Sequence, residues 1–186
     1  MTTLVGISGS LRRGSFNTAL LRAAKELMPG GSQLTIGSIR GIPLYDADIE
    51  AEGIPLPVTE LKEAIAAADG LLLATPEYNN SMAGVLKNAV DWLSRPPADV
   101  KRVFGDKPVA ILGATPGNFG TILAQHAWLP VLRTLGTRPW WGARLLVSRA
   151  NTVFDESGAV TDEAIKKQLQ QFLRGFVEFA GSTMPS

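Results

Sequence analysis

The chain has no cysteine and a single histidine, His126. The first absence removes disulfides, thiolate metal sites and cysteine nucleophiles together. The second removes any metal cluster built on several imidazoles. No run of about 18 apolar residues occurs, so no membrane-spanning helix is expected, and no charged-then-apolar leader opens the sequence. An excess of charge is also lacking. The 18 Lys and Arg against 17 Asp and Glu leave a formal net charge of +1, too weak a field to draw the whole molecule to nucleic acid or an anionic membrane. What is present is 186 residues, 45% hydrophobic and 19% charged, an ordinary globular composition with length enough for one well-buried domain. The expectation is a single domain over residues 1–186, cytoplasmic, with no metal, nucleic-acid partner or membrane insertion.

Strand and helix patterns alternate from end to end. Strands are expected at residues 3–8, 33–38, 70–75, 108–114 and 140–147, and helices at about 17–28, 58–68, 83–94, 121–135 and 162–180. Pro29-Gly30-Gly31 closes the first helix, and Pro96-Pro97 ends the third because proline cannot donate into the helical ladder. Residues 40–57 hold Gly, Pro and acidic residues in a long irregular connection, a length that marks a site or an interface. Five strands alternating with five helices imply an α/β fold whose parallel sheet is covered on both faces through right-handed crossovers.

Two loops carry the chemistry. In an open parallel sheet, ligands bind beyond the carboxyl ends of the strands. The first strand runs into Ser8-Gly9-Ser10-Leu11-Arg12-Arg13-Gly14-Ser15-Phe16-Asn17 and then a helix. Hydroxyls, unpaired backbone amides, a helix amino terminus with its partial positive charge, and Arg12 together suit a phosphate monoester. The same residues also read as a Ser/Gly turn with a helix cap and solvated arginines. Neither Gly-x-x-x-x-Gly-Lys-Ser/Thr nor Gly-x-Gly-x-x-Gly is present, which argues against a P-loop and against a dinucleotide fingerprint. The third strand breaks at Pro76 into Glu77-Tyr78-Asn79-Asn80-Ser81, then resumes as an amphipathic helix. Amides, hydrogen-bonding side chains and one ring in a single loop suit a flat polar heterocycle.

Gly9-Ser10-Leu11-Arg12-Arg13-Gly14-Ser15-Phe16-Asn17 and Thr75-Pro76-Glu77-Tyr78-Asn79-Asn80-Ser81-Met82-Ala83-Gly84-Val85-Leu86-Lys87-Asn88-Ala89-Val90-Asp91-Trp92-Leu93-Ser94-Arg95 resemble the NADPH-dependent FMN reductase family. The subgroup they most resemble contains bacterial quinone, chromate and azo-dye reductases, and the likeness covers nearly the whole chain. It implies a flavodoxin-like three-layer α/β/α fold with a five-stranded parallel sheet in the order 2-1-3-4-5. It also implies FMN as cofactor and NADPH or NADH as reductant. By resemblance Ser10, Arg12, Ser15, Phe16 and Asn17 surround the FMN phosphate and ribityl chain. Pro76, Glu77, Tyr78 and Asn79 lie along the isoalloxazine ring, and Thr115, Gly117 and Gly120 meet its far edge. No side chain is expected to act as nucleophile or metal ligand, because the chemistry resides at FMN N5. Nicotinamide and then a quinone, chromate, azo or nitro compound would use the same place in turn, giving ping-pong kinetics. Such reductases are homodimers or homotetramers. One departure is visible: Gly120-Thr121-Ile122-Leu123-Ala124-Gln125 stands where the family often has Gly-Gly-x-Arg-Ala-Gln, a region that helps form subunit contacts beside the flavin.

Other residues carry plainer expectations. His126 reads as packed or interfacial, Trp140-Trp141 as core and edge packing of the fifth strand, and Lys87 with Asp91 as a solvated i,i+4 pair. Glu77 is expected to hydrogen-bond across a subunit interface or to face solvent. Residues 40–57, with Tyr45, Asp46 and Asp48, are expected to cover a partner's flavin. Arg12, Arg13, Lys101 and Arg102 are candidates for the 2′-phosphate of NADPH. The competing function is a flavodoxin-type electron carrier without nicotinamide oxidation; carriers are usually strongly acidic, unlike this chain. A flavin-free binding module is a further reading, disfavoured by the phosphate-binding groups.

Overall fold

The computed structural model describes residues 1–182, so the last four positions of the expected domain lie outside the described residues. The first strand, β1 (Thr2–Ser8), pairs in parallel with β2 (Ser32–Gly37) on one side and β3 (Gly70–Ala74) on the other. Next to β3 stands β6 (Pro108–Ala114), also parallel. Helix α1 (Phe16–Glu26) links β1 to β2, and α2 (Ala47–Glu52) and α3 (Leu56–Ala67) link β2 to β3. A two-stranded ribbon, β4 (Glu77–Tyr78) and β5 (Ser81–Met82), then precedes α4 (Gly84–Leu93). A 3-10 turn (Pro97–Asp99) and α5 (Val100–Phe104) lead into β6, followed by α6 (Ile122–Thr134), β7 (Arg138–Pro139), β8 (Leu145–Val147), α7 (Ala150–Val153) and α8 (Glu163–Gly181).

The strands are buried on both faces, so they read as continuous apolar runs with the period of two hidden inside them. Leu4, Leu72, Leu112 and Leu34 point to the layer of α1 and α8, against Leu20, Leu21, Phe172 and Phe176. Val5, Ile7, Leu71, Leu73 and Val109 point to the opposite layer, against Ile65, Leu86, Trp92 and Trp128. This is the expected three-layer flavodoxin-like α/β/α arrangement.

The fifth strand departs from expectation. Residues 140–147 do not form one strand; β7 and β8 both pair with β6, at Pro108–Val109 and at Leu112–Ala114, so the sheet has six strands in the path β2-β1-β3-β6-β7 with β8 also on β6. The cause is Trp140. Its ring turns into the α8 layer, 4.9 Å from the Phe172 ring and 5.7 Å from Phe176, and Gly142 is forced to be glycine because a Cβ there would stand 2.6 Å from Trp140 Nε1. Trp141 goes the other way and is 67% exposed.

The 40–57 connection also contains structure that composition did not show. Asp46 caps α2 by accepting from the Asp48 amide at 2.9 Å. The segment is strapped to its own α4: Pro43 O accepts from Asn88 Nδ2 at 2.8 Å and from Trp92 Nε1 at 3.0 Å, and the Tyr45 amide donates to Asn88 Oδ1 at 2.8 Å. The short helices α5 and α7 were likewise unannounced by periodicity, being barely longer than one turn.

The start of β3 is tied to β1 through Asp69, whose Oδ2 accepts from the Thr3 amide at 2.7 Å and the Thr3 hydroxyl at 2.8 Å. The amide bond, chiefly, holds the Asp69 carboxyl below its ordinary value. A depressed carboxylate contributes stability above its unfolded pKa, about 3.9, and loses it as pH falls through the lower folded value. Asp69→Asn is therefore expected to lower the urea midpoint at pH 6, with the difference from the unmodified protein shrinking below about pH 4; a difference independent of pH would contradict this.

Candidate active site

The carboxyl ends of β1, β3 and β6 converge, and glycine sets how closely. A Cβ on Gly9 would lie 2.7 Å from Pro76 Cδ and 2.8 Å from Leu86 Cδ2, so only glycine lets the first loop rest against the start of the third. The Gly9 amide donates to Ala74 O at 2.8 Å, extending the β1–β3 pairing by one residue. On the β6 side, Thr75 N donates to Leu112 O at 2.9 Å, after which Pro76, with no amide hydrogen, leaves the sheet.

The first loop delivers donors. Ser15 caps α1, its Oγ accepting from the Thr18 amide at 3.2 Å. Among the described residues, the amides of Gly14, Phe16 and Asn17 have no protein acceptor, and the last two belong to the first turn of α1, whose orphan donors carry the helix's positive end. Arg12 lies over the Phe16 ring, 5.1 Å from its centroid, and Ser10 Oγ accepts from the Arg12 amide at 3.4 Å. The Asn17 side chain is buried, donating from Nδ2 to Ala114 O and accepting at Oδ1 from the Ala114 amide, both at 2.9 Å. Both polar ends of the amide are taken, so its side chain fastens α1 to the end of β6 and only its backbone faces the loop.

The second loop is a tight ribbon, not an irregular coil. Tyr78 pairs with Ser81, and Asn79 and Asn80 sit at φ 50° and 59°, the two left-handed residues of a type I′ hairpin, where Asn is well tolerated. Pro76 is buried and the tip, from Tyr78 to Ser81, is exposed. Behind it Trp128 Nε1 donates to Thr75 Oγ1 at 3.2 Å, both residues fully buried.

Glu77 reaches the start of α6. Its Oε2 accepts from the amides of Leu123 at 2.8 Å and Ala124 at 3.0 Å. The nominal cap of α6, Thr121, makes no side-chain cap bond; it is buried, accepting instead from Gln125 Nε2 at 3.2 Å. The carboxylate thus caps a helix of its own chain through Oε2, complementing that helix's amino-terminal charge.

The third loop contributes Thr115 and Gly117, held by Thr115 N to Val147 O at 3.0 Å and Arg149 N to Gly117 O at 2.9 Å. Gly120 is buried at φ 63°, and a Cβ there would meet Leu146 Cβ at 2.8 Å, so the close packing of the loop requires glycine at this position. Phe119 beside it is 80% exposed. Nothing but its position in a loop at a strand's carboxyl end could have marked it.

Three further expectations can be placed. His126 is exposed and lines an apolar groove of about 420 Å³ with Ile122, Leu123, Leu129, Trp140 and Trp141, beside the stretch of β6 left unpaired between β7 and β8. Lys101 and Arg102 sit on α5, which leads into the amino end of β6, away from the loops; Arg102 is bound to Glu63 at 2.8 and 2.9 Å. Lys87 and Asp91 do pair, at 2.7 Å, and both are solvated.

With this geometry in view, comparison with known proteins is direct. The profile of NADPH-dependent FMN reductases matches residues 2–152. The chain belongs to that family. An NAD(P)H-dependent FMN reductase of Pseudomonas aeruginosa is 47% identical over 171 residues, 92% of this chain and 91% of that protein. A 2-hydroxy-1,4-benzoquinone reductase of a Burkholderia species is 40% identical over 167 residues, 90% of each. Among solved structures, FerB, a flavoenzyme NAD(P)H:(acceptor) oxidoreductase from Paracoccus denitrificans, superposes with a TM-score of 0.86 at 33% identity, covering 97% of both chains. In this FMN reductase the loop donors suit a phosphate and the Gly9–Pro76 seam leaves the ribbon's edge open beside them.

Removing the Glu77 cap is expected to be visible in stability. Glu77→Ala should lower the unfolding free energy by about 1 kcal/mol, with Glu77→Gln, which keeps an acceptor oxygen, costing less. Equal losses in urea unfolding would mean that the side chain's packing, not its cap, matters.

Proposed function

We propose that this chain is an FMN-dependent NAD(P)H oxidoreductase that reduces quinones, working as one FMN-binding domain over residues 1–186. Family membership and quinone-reducing relatives support the activity. The observation that carries the placement is the trio of unpartnered amides at Gly14, Phe16 and Asn17, gathered at a helix amino terminus beside Arg12. An anion is the natural acceptor for that donor set. FMN, when bound, supplies the two-electron chemistry between nicotinamide and acceptor.

The protein's own residues then bind and orient. The first loop, with Ser10, Arg12, Ser15 and Phe16, holds the phosphate. Pro76 with the backbone of Glu77, Tyr78 and Asn79 forms the shelf for the ring, and their amides favour negative charge developing there by preorganised dipoles. Thr115 and Gly117 close the far edge. Glu77 and Asn17 act indirectly, one holding α6 against the ribbon and the other holding α1 against β6. Reductant and acceptor share one exposed place, so the reading carries ping-pong kinetics and breadth toward quinone, chromate, azo and nitro acceptors. It also carries a cytoplasmic setting, since the reductant is the intracellular nicotinamide pool.

We further propose a homodimer or homotetramer in which the apolar groove of α6 and Trp141 is covered by another copy. Ile122, Leu123 and Trp141 are exposed there, and Leu123 replaces the arginine common in the family, so the contact is apolar in place of charged. The alternative of a one-electron carrier lacks the acidic surface that such partners require.

Two outcomes test this. Anaerobic NADPH should bleach the yellow protein within the mixing time of a manual assay, and Arg12→Ala should weaken FMN binding by about tenfold or more, read from flavin fluorescence; a flavin that NADPH leaves oxidised would point to the carrier. Leu123→Asp should shift the sedimentation coefficient toward the monomer without changing the far-ultraviolet circular dichroism, whereas an unmoved coefficient would place the subunit contact elsewhere.

A further inference from the structure

Among the described residues, those other than glycine that hold a positive φ are Asn79, Asn80, Asp106 and Arg149. Asn and Asp tolerate the left-handed region, whereas arginine is strained there. Arg149 sits at φ 48° and ψ 43°, immediately before α7. Such strain persists only where the surroundings over-determine it, and here the surroundings are the third loop. The Arg149 amide donates to Gly117 O at 2.9 Å, and the Ala150 amide donates to Thr115 O at 3.0 Å. Arg149 Nε donates to Asn118 Oδ1 at 3.1 Å. Arg149 O accepts from the Thr152 amide at 2.8 Å and from its hydroxyl at 2.9 Å. The left-handed turn thus lets one residue grip the third loop by backbone and side chain together.

The other end of α7 reaches the first loop. Phe154 is buried, and its ring stacks on Phe16 with centroids 5.7 Å apart and planes inclined by 29°. The Arg12 guanidinium lies over that same Phe16 ring. Phe154 is itself fixed. Its amide donates to Ala150 O at 3.1 Å, and it forms an isolated bridge with Val160. Asp155 Oδ1 closes the turn between them, accepting from the amides of Ser157 at 2.9 Å and Ala159 at 3.0 Å. Residues 149–154 therefore reach both the loop after β1 and the loop after β6.

We infer that residues 149–154 are a brace whose two ends set the two ends of the cofactor site, an inference that rests on the FMN reading above. Phe154 positions Arg12 for the phosphate, acting through Phe16. Arg149 positions the third loop, with Thr115 and Gly117, for the far edge of the ring. Both are positioning residues. A guanidinium already held over a ring, and a loop already ordered, lose less freedom on binding than mobile ones do, and the difference is kept as affinity. The ligand's own shape separates the two effects. FMN carries a phosphate at one end only, and riboflavin is the same molecule without it. A change at Phe154 is therefore felt by FMN alone, whereas a change at Arg149 is felt equally by both flavins.

Titration of the flavin-stripped protein with FMN and with riboflavin, read from flavin fluorescence, tests the brace. Phe154→Leu keeps an apolar side chain and removes the ring; it should weaken FMN by about fivefold and leave riboflavin unchanged. Adding Arg12→Ala to it should cost no more than Arg12→Ala alone, because Phe154 acts through Arg12. Arg149→Gly removes the side chain and the backbone strain together. It should weaken FMN and riboflavin alike, by about fivefold, and speed hydrogen exchange over residues 115–119. Equal losses of FMN and riboflavin in Phe154→Leu would reduce Phe154 to core packing and overturn the inference, as would additive losses with Arg12→Ala. Unchanged FMN affinity in either variant would also overturn it. So would an FMN-selective loss in Arg149→Gly, or unmoved exchange over residues 115–119. Failure of the unmodified protein to bind FMN is a separate result, and strikes the oxidoreductase reading itself.

Discussion

The site depends on one buried amide. Asn17 donates to and accepts from the same residue, Ala114, at the end of β6, and so fixes the amino end of α1 across the strand β3 that lies between. That end carries the amides of Phe16 and Asn17, which have no protein acceptor, and beside it Gly9 packs against Pro76. Loss of this pair would leave two buried polar groups of Ala114 without partners, a cost of about 1–3 kcal/mol each. It would also release the loop that carries Ser10 and Arg12. The Asn17 side chain is thus committed to holding the first loop and the start of α1 against the end of β6.

Glu77 repeats that theme on the other side of the sheet edge. Its carboxylate joins the ribbon to α6, whose own first residues offer no cap. The ribbon, the first loop and the third loop are thus three separate connections tied to one another by Asn17, Gly9 and Glu77. Preorganisation of this kind suits a protein whose cofactor brings its own chemistry: the chain must orient the reacting groups, and needs no nucleophile or metal to do so.

Much of this was legible in the residues, for physical reasons. The apolar runs at Leu71–Leu73 and Val109–Leu112 are long enough and regular enough to identify strands covered on both faces, and the strand order of the first four strands follows the family resemblance. The loops were legible because ligand chemistry collects at strand carboxyl ends. What was hidden depends on contacts distant in sequence. The break in the fifth strand turns on Trp140 finding Phe172, and the roles of Asn17 and Glu77 turn on partners 97 and 46 residues away. The hairpin at Asn79-Asn80 had a local signal, two left-handed-tolerant residues between short alternating segments. Arg149 had none, since arginine is not a type that tolerates the left-handed region and its conformation is set by the third loop.

The central claim is that the ligand's phosphate sits at the tip of α1 and its ring on the Pro76 ribbon. The structure of the FMN-loaded protein tests it most directly. The account predicts phosphate oxygens within about 2.7–3.2 Å of the Phe16 and Asn17 amides, with the ring along Pro76–Asn79. A phosphate lodged away from those amides, or a ring resting in the groove beside Trp141, would contradict it.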